Sequence, residues 1–354
     1  MGITQNELKR IISNKFRLSF GNSGTFKILL FSDFHSHYKR QDPRTYEAFE
    51  KIIDDKKPDL VYLMGDLPGG PAKPSEAVEM LSALSRPMDK RGIPWTLVFG
   101  NHDDSICRGM PMDRIERLME KKCPNCMIKN YGKKIHGYSN HAIPIYRSES
   151  DDSISLILYG LDAGRDISAM NVDYELSGDI IEFLSAPKRL TARRRFDIVR
   201  FDQVIWYWEL SKAVEIMNGK TPALIMTHSG IQELRVLGES PKNLDVDGEL
   251  AEEIKVGAIN SGLFSAGLQR GDVIGFYCGH NHVNTGEGRY CGIRFGYAGS
   301  IGYDAYGTKK PHSDRERNRL RGARMLTFDR DDVFNYRSEY IFASDYVAPV
   351  IEVK

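Results

Sequence analysis

Two histidines flank one asparagine in Gly279-His280-Asn281-His282, at the end of an apolar run. Four other short apolar runs end in the same way. "FKILLFSDFH" from Phe26 ends in Asp33 and His35, and "LVYLMGD" from Leu60 ends in Asp66. "WTLVFGNHDD" from Trp95 ends in Asn101, His102 and Asp103, and "ALIMTHSG" from Ala223 carries His228. Imidazoles, carboxylates and an amide oxygen are the donor set of borderline to hard divalent cations. There are more imidazoles than a zinc site of three or four protein ligands can use. The set suits two cations sharing one carboxylate. Any one cluster alone reads as a hydrogen-bonded strand end; five in a row do not read as coincidence. Alternate residues of a strand point the same way, so Asp33 and His35 are expected to address the same ion, and His280 and His282 to flank the metal pair. Glycines 65, 100 and 279 are expected to let the backbone approach those ions closely.

The elements that must position these residues follow from the same runs. Each is too short for a typical helix and rich in Val, Ile, Leu, Phe and Tyr, which predicts strands buried on both faces. Helical spacing appears between them, in "PRTYEAFEKIIDDK" from Pro43 and "SEAVEMLSALSRPMDK" from Ser75. The alternation predicts a parallel βαβ core, with ligands gathered outside the carboxyl ends of its strands. Further strands are predicted at 155–160, 293–297, 324–328 and 333–342. A long amphipathic helix is predicted from Arg200. The stretch 162–200 is the least regular and reads as an inserted surface segment in an otherwise continuous domain of residues 1–354. Two basic runs, "KRLTARRRFDIVR" from Lys188 and "KKPHSDRERNRLRGAR" from Lys309, read as solvated arms, with an anionic-substrate clamp as the sharper reading.

The 354 residues are 41% apolar with a net charge of +1, enough for a sizeable core and without a global pull toward nucleic acid or an acidic membrane. No run approaches a membrane span. The first twenty residues hold no signal-peptide core, no Asn-x-Ser/Thr sequon occurs, and five cysteines are too few for a disulfide framework. A cytoplasmic location is therefore expected. Cys123 and Cys126 form a lone "CPNC", which reads as a pair of reduced thiols.

"DFH", "GD", "GNHD", "TH" and "GHNH" in this order resemble the calcineurin-like metallophosphoesterase superfamily. "GTFKILLFSDFH", "LDAG", "FDQVIWYWELS", "GHNHVN" and "GSIGYDAYG" look like its purple-acid-phosphatase-like subgroup, and the similarity runs from about Phe16 to Phe328. The resemblance implies an α/β fold of four layers, α/β/β/α, with two mixed β-sheets flanked by helices. It implies that Asp33, His35 and His282 hold one metal, that Asn101, His228 and His280 hold the other, and that Asp66 bridges them. His102 would face the substrate and protonate the leaving oxygen, with Asp103 orienting its imidazole. One departure stands out: the chromophore tyrosine of true purple acid phosphatases has Gly69 in its place, and the histidine those enzymes lack is present as His35.

The function so implied is hydrolysis of a phosphoric ester by a hydroxide held between two divalent ions, Mn or Fe first and Zn second. The substrate would be a phosphomonoester or a phosphoprotein. A phosphodiesterase or nuclease on the same site is the rival, disfavoured because the basic runs lack interleaved aromatics. A non-catalytic scaffold of the same fold is the reading from another class. His37, Arg165, Tyr303 and Tyr306 are the candidate substrate contacts.

Overall fold

The structure is a computed structural model. It describes residues 2–37, 41–68, 73–106, 109–132, 135–165, 196–242, 244–257 and 259–350.

Two sheets face each other. The smaller has the order β12-β11-β2-β3-β4, with β2 at Thr25–Phe31, β3 at Leu60–Leu63, β4 at Trp95–Leu97, β11 at Gly322–Asp329 and β12 at Asp332–Phe342. The larger has the order β1-β5-β6-β7-β8-β10-β9. Its strands are β1 at Leu18–Ser19, β5 at His141–Ser148, β6 at Asp151–Gly160, β7 at Ala223–Met226, β8 at Val273–Cys278, β9 at Glu287–Tyr290 and β10 at Ile293–Tyr297. Strands β2, β3 and β4 pair in parallel, as do β6, β7, β8 and β10; β11 and β12 continue the small sheet antiparallel. The helices Pro43–Lys56 and Pro74–Asp89 make the βαβ crossovers predicted from sequence. Asp42 caps the first of them through the Arg44 N–H, and Pro43 starts it with the backbone already bent to helical φ.

The period of two explains why the runs contain so few polar residues. Leu29, Phe31, Val61 and Leu63 point outward onto the helices beside the small sheet. Ile28, Leu30, Leu60 and Tyr62, on the alternate positions, meet Leu156, Leu158, Leu224 and Met226 of the large sheet. On the large sheet's far face Ile157, Tyr159 and Ile225 pack against Tyr207, Leu210 and Val214 of the helix Phe201–Asn218. The central strands β2, β3 and β7 are thus buried on both faces, and the result is the expected four-layer α/β/β/α sandwich.

Three local expectations need correction. The helix Phe201–Asn218 is not cleanly amphipathic, because Phe201, Ile205, Ile216 and Met217 are exposed. The basic run from Lys188 is not wholly solvated, because Arg200 is buried against Asp197 at 2.6 Å; Asp162 and Ala163 are buried as well. Residues 166–195 lie outside the described residues. The C-terminal basic run is not wholly solvated either. Arg321 and Arg324 are buried, since backbone carbonyls of Ala305, Tyr306, Tyr297 and Thr285 accept from their guanidinium groups. Cys123 and Cys126 are buried free thiols. No helix among the described residues is long and apolar enough to cross a membrane.

Candidate metal centre

The parallel strands of both sheets end on one edge of the sandwich, and every clustered residue leaves a strand there. Asp33 and His35 follow β2, Asp66 follows β3, Asn101 to Asp103 follow β4, His228 follows β7, and His280 and His282 follow β8. Backbone bonds stitch the turns together: Asp33 N donates to Gly65 O at 3.0 Å, His35 N to Asp66 O at 3.1 Å, and Gly279 N to His228 O at 3.0 Å. Two more join the sheets. The His280 N–H donates to Asp33 Oδ2 at 2.9 Å, and His228 Nδ1 lies 2.6 Å from Met64 O.

Strand alternation is not what aims the side chains. Strand β2 ends at Phe31 and β8 at Cys278. Asp33, His35, Asp66 and His280 all adopt left-handed backbone, with φ of 52°, 45°, 55° and 67°. Non-glycine residues held there cost about 1–3 kcal/mol each, a burden that folds tolerate mainly at functional sites. The glycines likewise serve neighbouring turns rather than the ions. A Cβ on Gly100 would meet Asp66 Oδ1 at 2.3 Å, and one on Gly279 would meet Ser32 Oγ at 1.9 Å.

Two groups of ligand-type atoms result, each within 4.8 Å: Asp33 with His35 and His282, and Asp66 with His228 and His280. In the first, His282 Nε2 lies 3.2 Å from Asp33 Oδ1 and 3.1 Å from His35 Nε2. In the second, His228 Nε2 lies 3.3 Å from Asp66 Oδ2 and 3.2 Å from Asn101 Oδ1. Asp66 Oδ2 is also 3.6 Å from His35 Nε2, so one oxygen faces both groups.

The electrostatics ask for positive charge. Burial alone would raise Asp33, but His282, His35 and His228 hold its carboxyl well below the usual range. Asp66 is lowered too, because His228 beside it outweighs its burial. His228 would be lowered by burial, yet Asp66 and Asp33 push it up to about 10. Burial and the neighbouring His228 push His280 down to about 3, which keeps its lone pairs available. His280 Nε2, His282 Nδ1 and Asp33 Oδ1 are buried without a hydrogen-bond partner. Orphaned buried donors and acceptors of this kind, in an N/O set, fit two divalent cations.

The remaining candidates divide. His102 is exposed at the rim; its N–H donates to Asp66 Oδ1 at 2.8 Å, and its ring lies 5.2 Å from that of His35. Asp103 was expected to orient that ring. Its carboxylate instead accepts three backbone N–H groups, from Asp66 and Leu67 at 2.9 Å and from Gly100 at 2.6 Å, so it holds two turns in place. A cleft of about 520 Å³ opens over the centre and is lined by His37, His102, Phe196, Lys255, Tyr306 and the ligand-type side chains, among others. His37 and Tyr306 therefore reach the site. Tyr303 does not: it is buried in the core beside Arg44, whose guanidinium lies 4.3 Å from its ring. Arg165 pairs with Asp104 and is not among the cleft-lining residues.

Sequence reasoning missed Phe196, Lys255 and Glu252. The Phe196 ring packs 4.3 Å from that of His280. The Tyr306 ring stacks 3.9 Å from that of His282, and its hydroxyl donates to Glu252 at 2.9 Å. The only hint was Asn281, between the two histidines. Its side chain accepts the Lys255 N–H at 3.1 Å and donates to Glu253 O at 3.0 Å, which ties the 252–255 loop to the histidine turn.

Known proteins resemble this chain in sequence and in fold. Two Arabidopsis thaliana proteins named probable inactive purple acid phosphatase 14 and 28 are 27% and 25% identical over 325 and 338 residues. Those alignments cover 82% and 88% of this chain, and 74% and 79% of the relatives. A dimetal phosphatase from Danio rerio shares the fold at a TM-score of 0.55 with 10% identity, over 90% of this chain and 96% of that one. The calcineurin-like phosphoesterase family is matched over residues 26–284, from the first strand of the small sheet to the residue after the histidine pair's turn. With the fold, the two ligand groups and this match in agreement, the chain belongs to the calcineurin-like phosphoesterase family.

Proposed function

We propose that this protein hydrolyses phosphate esters, phosphomonoesters or phosphoproteins first, at a binuclear metal centre. The observation that carries the reading is Asp66 Oδ2, which faces His35 Nε2 and His228 Nε2 at 3.6 and 3.3 Å and so stands between two ligand groups. Asp33, His35 and His282 would hold one cation, Asn101, His228 and His280 the other, with Asp66 shared. Mn²⁺ or Fe is the first assignment and Zn²⁺ the second, given mixed imidazole, carboxylate and amide donors. When bound, such ions act as Lewis acids, acidify water and offset phosphoryl charge.

The chain's own residues set the geometry. A carbonyl oxygen can only accept, so the His228 Nδ1 facing Met64 O carries the proton and Nε2 is turned to Asp66 and Asn101. Asp66 spends Oδ1 on the His102 N–H and keeps Oδ2 for the centre. His102, solvent-exposed beside His35, would give a proton to the leaving oxygen. Phe196 packs against the His280 ring and Tyr306 stacks on the His282 ring at the wall of the cleft.

The relatives carry the word inactive in their names, which favours testing the scaffold reading beside the hydrolase. Metal-stripped protein is to be loaded separately with Mn²⁺, Fe²⁺ and Zn²⁺ and given p-nitrophenyl phosphate, its bis-ester and a phosphopeptide panel. Metal-dependent release from the monoester or a phosphopeptide supports the proposal. Faster release from the diester moves it to the phosphodiesterase reading, and no turnover with any ion or ester replaces it with the scaffold.

A further inference from the structure

Among the described residues that line the cleft, Lys255 is the one lysine or arginine. Its ammonium is not a loose surface charge. Glu252 Oε2 lies 2.6 Å from Nζ, and the Tyr306 hydroxyl lies 2.6 Å from it as well. Glu252 is itself pinned: its Oε1 accepts the Val283 N–H at 3.2 Å, directly after the His280–His282 turn. The Lys255 backbone is pinned by Asn281, which stands between those histidines. Arg321 holds the Ala305 and Tyr306 carbonyls, which fixes the loop that presents the Tyr306 ring to His282. Every contact that orients Nζ thus runs back to the turn bearing His280 and His282.

An ammonium has three donors, and Glu252 and Tyr306 engage two of them. A surface pair with Glu252 would contribute little and would need none of this support. Preorganising a cation at the wall of an anion-accepting cleft removes the ordering cost that a free lysine would pay on binding.

We infer that Lys255 is a substrate-anchoring residue: its ammonium, oriented by Glu252 and Tyr306, donates to an anionic oxygen of the phosphate ester from the His282 side of the cleft. The inference rests on the phosphoesterase reading for its ligand class, an oxyanion of phosphate.

The test uses the full chain loaded with metal, inorganic phosphate as probe, and titration calorimetry. Lys255→Met should weaken phosphate binding about tenfold, the scale of one hydrogen bond to a charged group, while metal content stays at the wild-type value. Lys255→Arg should recover most of that loss, and Tyr306→Phe, which keeps the ring, should fall between. Wild-type affinity in Lys255→Met would overturn the inference, as would loss of metal in that variant or a wild type that binds no phosphate. Wild-type protein that binds phosphate through Lys255 but cleaves no ester supports the anchor and rejects the hydrolase. Turnover with an unchanged KM in Lys255→Met rejects the anchor alone.

Discussion

Asp103 Oδ2 accepts the backbone N–H of Asp66 at 2.9 Å, and both residues are buried. The contact sets the left-handed turn that presents Asp66 to the centre. Because Asp103 also takes the Leu67 and Gly100 N–H groups, Asp103→Ala would leave three buried donors unpaired. At about 1–3 kcal/mol for each unsatisfied group, the variant should lose upward of about 3 kcal/mol in urea denaturation. It should also bind metal more weakly. A stability within about 0.5 kcal/mol of wild type, the range of an ordinary surface substitution, would refute the positioning role.

Asp66→Ala removes the one oxygen that faces both ligand groups. Elemental analysis should find both cations depleted in it, whereas His282→Ala should deplete the Asp33 group first. An Asp66→Ala protein that retains both ions rules out the shared carboxylate.

His102 lies at the rim and enters neither ligand group. His102→Ala should therefore lower turnover by about 10²–10⁴-fold, the usual contribution of a positioned acid, with metal content intact. Parallel loss of metal and turnover would make His102 part of the cage instead.

His141 offers a pH test away from the centre. It is buried between the Tyr62 hydroxyl at 2.9 Å and Ser139 O at 2.7 Å, and burial pushes it down to about 4. The unfolded chain binds the proton with a pKa near 6.5, so between about pH 6.5 and pH 4 the unfolded state holds more protons. The stabilisation is whole above about pH 6.5 and is lost as pH falls toward 4, roughly 3 kcal/mol in all. His141→Gln should flatten the urea-midpoint profile across that window. An identical slope in the variant counts against His141 as its source.

What could be read ahead was whatever depends on near neighbours in the chain. The runs ending at Phe31, Leu63, Leu97, Met226 and Cys278 announce doubly buried strands because burial on both faces leaves no polar alternation. Arg321, Arg324 and Arg200 looked solvated because charge along a sequence carries no record of the carbonyls and carboxylate that meet it after folding. Tyr303 and Tyr306 are three residues apart with like flanks, yet one is sealed under Arg44 and the other stacks on His282. Nothing local separates them.

By itself the sequence determined a parallel βαβ core, the chemistry of the donors and the strand ends at which they gather, since side-chain types and their order along the apolar runs are covalent facts. Only the tertiary structure decided that Asp66 faces both groups, that Asp103 serves the backbone, and that Lys255 stands at the cleft. Those outcomes depend on contacts between residues far apart in the chain and on how deeply each group is desolvated, and both exist only once the two sheets have closed.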